Sequence, residues 1–328
     1  MLKKNMPPNW KPPAPAWQSN WRQQEPLLVA YFAQQGASPE AIDGWAKKFL
    51  GSEAGALSIE QALYTDIEGV VNYIYISYWR QQDYLEWWLR AQQWWQQPAR
   101  LEPGVGFWRE VFAMPQDHFE TLHSSPNTHG IGATTEDIEG PIDEHGYAGG
   151  MRDRIEILQG QDAKATVTPK QGLVASYSAD RRRVHVSLPE NTCMIRSGQN
   201  WSACNTEQKQ DYLLNVHPVL QKGMRYLRDN AQESGCYCMR LATKTDYEWQ
   251  VVEQTFGLGY ACDIYAFEDW AKSHPSHIAI FASFMQMAGR YGEDLQLQLW
   301  HEVAISPGQG SEAEYVNCHS NTGFLAHC

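Results

Sequence analysis

The sequence predicts an α+β fold: two ferredoxin-like halves whose antiparallel sheets form a barrel-like core of the dimeric α+β barrel type, flanked by helices. Three observations predict it. Short apolar and β-branched runs alternate with longer stretches at helical spacing, and this strand–helix–strand grammar is given twice. Laying Phe267-Glu268-Asp269-Trp270 on Tyr84-Leu85-Glu86-Trp87 aligns the two halves and sets His277 opposite Trp94. Hydrophobic residues make up 43% of the 328 positions, enough for one large core.

Residues 1 to 25 are rich in proline and predict an extended arm lying on another surface, ahead of a single domain over 26 to 328. EPLLVAYFAQQGA follows as a short strand, and SPEAIDGWAKKFL as a helix with Ser-Pro-Glu at its N-cap. GVVNYIYISYW is β-branched and aromatic, a strand, and DYLEWWLRAQQWWQQ is an amphipathic helix. The stretch from about 100 to 230 adds strands and one helix, QKQDYLLNVHPVLQKGMRYLRDNA. GCYCMRLATKT and TFGLGYACDIYAF are strands, FEDWAKSHPSHIAIFASFMQMAG is a helix, and LQLQLWHEVAI is a strand with period-2 alternation.

Composition removes whole classes of function. A net charge of −12 disfavours nucleic acid and anionic membrane, and the one basic run, Arg181 to Arg183, fits a solvated turn. No stretch approaches the roughly 18 apolar residues of a membrane span. The lysines at the start run into prolines without an apolar segment, so no secretory signal is expected. The 7 cysteines are odd in number and scattered, which suits a cytoplasmic protein. Cys236 and Cys238 form a C-x-C pair whose side chains share a face if the strand is regular; alone they are a weak zinc signal. No C-x-x-C-H is present to attach a c-type haem. The 14 tryptophans fit either core packing or the lining of an apolar cavity.

The common catalytic motifs are absent: no P-loop, no G-x-G-x-x-G after a strand, no G-x-S-x-G elbow, no H-E-x-x-H. The histidines remain. Pro275 opens a helix with Ser273 as its expected N-cap, so His277 lies in the first turn, on one face with Phe281, Phe284 and Met285. Such a residue is either a satisfied boundary histidine or an axial ligand to haem. The positive helix end keeps its imidazole neutral, and the aromatic stripe suits a flat apolar macrocycle. A zinc pair with His274 lacks a third ligand at recognisable spacing. His301 is the one polar member of the face Leu295, Leu297, Leu299, His301, Val303, Ile305. It is either a buried, hydrogen-bonded histidine or a proton donor and acceptor at a pocket wall.

Three further residues have both a bland and a functional reading. In YAGGMRDRIEI, Arg152, Arg154 and Glu156 alternate away from Met151, Ile155 and Ile157, as on a solvated strand face. Ser197 precedes Gly198 at an apparent turn, and Glu120 in DHFETLH has the pattern of an exposed helical acid.

Taken together, GFWREVFAMPQDHFETL, IDEHGYAGGMRDR, MIRSGQNW, LLNVHPVLQKGMRYLRDN, WAKSHPSHIAIF and LWHEVAI resemble the haem-containing aldoxime dehydratases, in order, over about Gly106 to Leu325. The stretch Gly146 to Arg154 and Ser-His-Pro-Ser-His carry the resemblance most specifically, whereas NCHSNTG departs from the family's Pro-Gly-Thr-Gly form, so His319 receives no role. The resemblance implies dehydration of a small-molecule aldoxime to a nitrile on haem b, ferrous in the active form. It implies His277 as the axial ligand, with His274 not a ligand, and His301 as the distal acid and base. Arg154, Ser197 and Glu120 fall on the distal polar positions. The Pro-rich arm and barrel-type fold point to a homodimer. The rival classes are a haem peroxidase or chlorite-decomposing enzyme, a non-enzymatic haem carrier or gas sensor, and a relative acting on another N–O or N–N substrate.

Overall fold

The computed structural model describes residues 4–21, 25–51, 54–102, 104–126, 129–135, 137–160 and 162–328. The first part of the chain forms β1 (Gln18–Ser19), β2 (Leu27–Gln35), α1 (Glu40–Phe49), β3 (Ser58–Thr65), β4 (Val71–Arg80), α2 (Gln81–Trp95) and β5 (Gly106–Met114). The middle forms β6 (Phe119–His123), β7 (Ile138–Glu139), α3 (Gly150–Arg154), β8 (Ala175–Tyr177), β9 (Arg183–Ser187) and β10 (Cys193–Asn200). Then come α4 (Thr206–Asp211), a π-helical turn (Tyr212–Val216), α5 (His217–Asp229), α6 (Ala231–Ser234), β11 (Cys236–Thr245) and β12 (Val251–Ala261). The chain ends on α7 (Ile264–Ser273), α8 (Pro275–Tyr291), β13 (Gln298–Ile305) and β14 (Glu312–Val316).

Twelve strands make one antiparallel sheet in the order β6-β13-β10-β12-β11-β3-β4-β2-β5-β14-β9-β8. The α+β class holds. The ladder ends at β6 and β8, so among the described residues it does not close into a hydrogen-bonded barrel. Two four-strand runs, β13-β10-β12-β11 and β3-β4-β2-β5, meet where Thr243 of β11 pairs with Leu63 of β3.

Burial explains the composition of these strands. β2, LLVAYFAQQ, is buried at every position because both faces of the sheet are covered, so its sequence reads as a run rather than an alternation. One face contributes Tyr31, Tyr78, Trp108, Tyr260 and Trp300 to an inner core. The other face of the first half packs Phe32 against Trp45, Trp87 and Trp95 beneath α1 and α2, with Phe32 and Trp45 ring centroids 4.6 Å apart. These tryptophans are therefore core packing, and Trp94 belongs to that layer.

The expected single helix around His274 is two. Proline has no N–H and crowds the residue before it out of the α region, so His274 is extended (φ −80°, ψ 131°) between α7 and α8. The N-cap is His274, whose Nδ1 accepts from the Ser276 backbone N–H at 3.2 Å, and not Ser273, whose hydroxyl donates to the Asp269 carbonyl. A β-bulge between Cys236 and Cys238 corrects the shared-face expectation for that pair: Cys236 packs with Leu220 and Leu227, and Cys238 against the inner core. No helix among the described residues is long and apolar enough to cross a membrane.

Candidate functional site

On β13, Leu299, Val303 and Ile305 pack into the helix-side clusters, while Trp300 and Ala304 join the inner core. The strand alternation therefore puts His301 on the helix side. Its neighbours come from register: Ser197 of β10 lies opposite His301, and on the other edge β6 places Glu120 opposite Val303. Ser197 is thus in mid-strand, correcting the turn expected there, and Gly257 of β12 is its partner on the far side. Glu120 is on a strand and 5% exposed, not on an exposed helix.

Arg154 comes from the loop side. MRDR is a short helical turn and not a strand face, and Gly149, which precedes it, has φ +90°, a conformation that only glycine adopts freely. Its three charged residues go three ways. Arg152 Nε donates to Glu268 of α7 at 2.8 Å, Asp153 turns to the N-terminal arm, and Arg154 enters the site. Arg154 Nε donates to Glu120 Oε2 at 2.7 Å, Nη1 donates to the Glu144 carbonyl at 2.5 Å, and Nη2 lies 3.1 Å from His301 Nε2. Glu120 Oε1 is 2.9 Å from the same His301 nitrogen.

This arrangement couples geometry to charge. A guanidinium only donates and a carboxylate only accepts. A neutral His301 with its lone pair on Nε2 therefore accepts from Arg154, and a proton on Nε2 turns the interaction toward Glu120. Burial alone raises the Glu120 carboxyl, but the Arg154 charge and His301 outweigh it and hold it down at about 2. Glu120 is accordingly ionised across the neutral range, and Arg154 is always charged. His301 is the accessible one of the three, with side-chain exposure of 23% against 2% for Glu120 and 3% for Arg154.

Removing one partner of such a pair leaves a buried charge uncompensated. Glu120→Ala is expected to destabilise the fold by about 3–5 kcal/mol at neutral pH, read by urea unfolding. Because the folded value is depressed from 4.5 to about 2, the stabilisation from Glu120 is full above about pH 4.5. It is lost as pH falls toward 2, so the parent and Glu120→Ala curves should converge in that window.

His277 sits in the first turn of α8, its ring edge-on to Trp270 with centroids 4.7 Å apart. Burial lowers its basicity, by more than the nearby Ala271 backbone raises it, which favours the neutral imidazole that a metal ligand needs. His274 is committed elsewhere, capping the helix and stacked on Tyr226 at 3.7 Å. His319 is likewise engaged, 2.9 Å from Asp66.

The surroundings of His277 fit a planar apolar group. α8 leans on α5 and the π-helical turn, and its residues Ile278, Phe281 and Met285 remain 50%, 53% and 38% exposed. The sheet wall beside Ser197 has no side chain at Gly257 or Gly259. A Cβ at Gly257 would come within 2.9 Å of the Met224 sulfur. Flexible thioethers packed on the glycines of the sheet, an uncovered apolar helix face and a weakly basic imidazole fit a haem. The structure thus brings Glu120, Arg154, Ser197 and His301 together on one wall and places His277 on the helix layer over that half. The Glu144 carbonyl, Asp153 and Glu268 were missed from sequence. Asp153 and Glu268 lie in quoted motifs, but a carbonyl carries no sequence signal.

Comparison with known proteins agrees with this chemistry. The family of haem-containing dehydratases matches residues 22–324. Phenylacetaldoxime dehydratase of Bacillus sp. (strain OxB-1) is 33% identical, covering 98% of this chain and 94% of its own length. Aliphatic aldoxime dehydratase of Pseudomonas chlororaphis is 33% identical, covering 99% and 94%. The crystal structure of the aldoxime dehydratase OxdRE in complex with butyraldoxime superposes with a TM-score of 0.91 at 30% identity, covering 100% of this chain and 93% of that one.

Proposed function

The chain belongs to the haem-containing dehydratase family, and from that premise we propose how its own residues carry out the family's reaction, with His301 moving the proton. The protein is a lyase that dehydrates aldoximes to nitriles with haem as cofactor. The observation that carries our reading is the position of His301 Nε2, 3.1 Å from Arg154 Nη2 and 2.9 Å from Glu120 Oε1.

An aldoxime, R–CH=N–OH, gives R–C≡N and water when the N–O bond breaks toward oxygen and the C–H proton leaves. Hydroxide is a poor leaving group, so the oxygen must be protonated as the bond breaks. His277 would hold the haem, which when bound, and in its ferrous state, would supply an electron-rich iron able to weaken the N–O bond. The protein supplies the rest. His301, protonated at Nε2 and stabilised by the Glu120 carboxylate, gives its proton to the departing oxygen. Neutral His301 then takes the C–H proton, so the acid is restored at the end of each turnover. Ser197, across the strand pair from His301, orients the oxime hydroxyl, and Arg154 fixes the imidazole while keeping Glu120 ionised.

The finer architecture belongs to the same reading. β2-α1-β3-β4-α2-β5 and β10-α5-β11-β12-α7-α8-β13 both run strand–helix–strand–strand–helix–strand, with the four strands of each half in the spatial order fourth, first, third, second. That order supports two ferredoxin-like halves. A single domain over 26–328, a cytoplasmic location and a homodimer complete the proposal.

The test is anaerobic. Protein reconstituted with haem is assayed for nitrile from phenylacetaldoxime and butyraldoxime, oxidised and dithionite-reduced. Nitrile is expected from the reduced protein alone. Equal turnover by the oxidised form would refute the ferrous assignment, and no nitrile from either would refute the reaction.

A further inference from the structure

Taking His301 as the proton carrier, a reading on which this inference rests, we propose that Asn5 is a positioning residue for Arg154: the N-terminal arm grips the turn that presents the guanidinium. Asp153, next to Arg154 and 2% exposed, takes the Asn5 backbone N–H at 3.1 Å and the Asn5 side-chain amide at 2.7 Å. The Tyr147 hydroxyl donates to the same carboxylate at 2.9 Å. The loop glycines are shaped to this contact. A Cβ on Gly149 would stand 2.6 Å from Asn5 Cβ, and one on Gly146 would stand 2.7 Å from Pro13 Cδ. Trp10 Nε1 donates to the His145 carbonyl at 2.9 Å, so the arm also fixes the start of the motif.

The far end of the arm holds the other half of the ion pair. The Ser19 backbone N–H donates to Thr121 Oγ1 at 2.8 Å, and Trp17 and His123 exchange backbone hydrogen bonds at 2.9 and 2.8 Å. Thr121 and His123 are on β6, the strand of Glu120. One segment thus ties the Arg154 turn to the Glu120 strand. A small displacement of a positioned group is costly: about 1 Å can lose on the order of 10²-fold in rate.

The groups facing His301 are Arg154 from α3, Glu120 from β6 and the neutral Ser197 from β10, while His123 of β6, paired with Trp300 on the other face of the sheet, acts on it only through its charge. Slackening the turn withdraws the Arg154 charge, so that His301 faces Glu120 alone. Asn5→Asp is isosteric but sets a carboxylate against Asp153, Asn5→Ala removes the grip, and Asn5→Ser keeps a donor. We expect Asn5→Asp and Asn5→Ala to lower kcat about 10- to 100-fold with haem per chain and KM little changed. The alkaline fall of kcat should move to higher pH, and Asn5→Ser should recover part of both. Unchanged kcat and pH profile in Asn5→Asp would overturn the proposal. So would a kcat loss that merely follows haem loss with the pH profile fixed, the signature of an arm that only stabilises. The underlying reading is checked separately, by the alkaline fall in the parent and its absence in His301→Ala.

Discussion

A chain carrying His277→Ala is expected to fold and to lose its haem. The side chain is partly exposed at the first turn of α8 and its ring contact is with Trp270, at the edge of the helix-side cluster, so its removal trims that edge and leaves the buried members of the cluster in place. What it removes is an imidazole that burial keeps weakly basic, and so available in the neutral form that a metal ligand needs. Loss of an outer-shell partner typically costs 10–100-fold in metal affinity, and loss of the ligand itself should cost more than about that. Haem per chain after reconstitution and gel filtration is the readout, with added imidazole expected to restore part of the Soret band. Parent-level haem retention, with a parent-like Soret position, would show that another residue holds the iron.

His301→Ala should have the opposite profile: full haem and little chemistry. A positioned acid or base typically contributes about 10²–10⁴ in rate, so kcat for nitrile should fall by about that factor. Haem content and the aldoxime-induced Soret shift should stay close to the parent. Glu120 is not expected to take over as the acid, because the Arg154 charge and hydrogen bond, which the substitution leaves in place, still oppose the rise that burial causes. Arg154 cannot either, since a guanidinium does not deprotonate under these conditions. Near-parent turnover in this variant would end the assignment of His301.

The sequence carried much of this because its strongest signals are local. Period-2 alternation put His301 on the face it occupies, and Pro275 set His277 in a first turn before any contact was known. The helices themselves were also legible: the two stretches aligned to set His277 opposite Trp94 fall on α2 and on α7 and α8. What failed was whatever depends on partners. Glu120 reads as an exposed acid because nothing in DHFETLH announces an arginine 34 residues away. MRDR alternates like a strand, yet Gly149 in the left-handed region and the three separate partners of its charges wind it into a turn. SIEQALYT, which became β3, was missed because it mixes polar and apolar residues at a join between halves, where β4 and β11 flank it. Ser197-Gly198 looked like a turn, but in β10 the Gly198 position is crowded by the Trp300 ring, and a close approach explains that glycine better than a bend.

The central claim, that the departing oxygen receives its proton from His301 held between Arg154 and Glu120, is tested most directly by the pH dependence of kcat. Nitrile formation by dithionite-reduced, haem-loaded protein would be followed under saturating aldoxime from pH 5 to pH 10, for the parent and for His301→Ala. The account predicts that parent kcat falls on the alkaline side as the imidazolium is lost, and that the residual rate of His301→Ala shows no such fall. The same alkaline fall in His301→Ala, or its absence from the parent, would contradict the account and place the proton elsewhere.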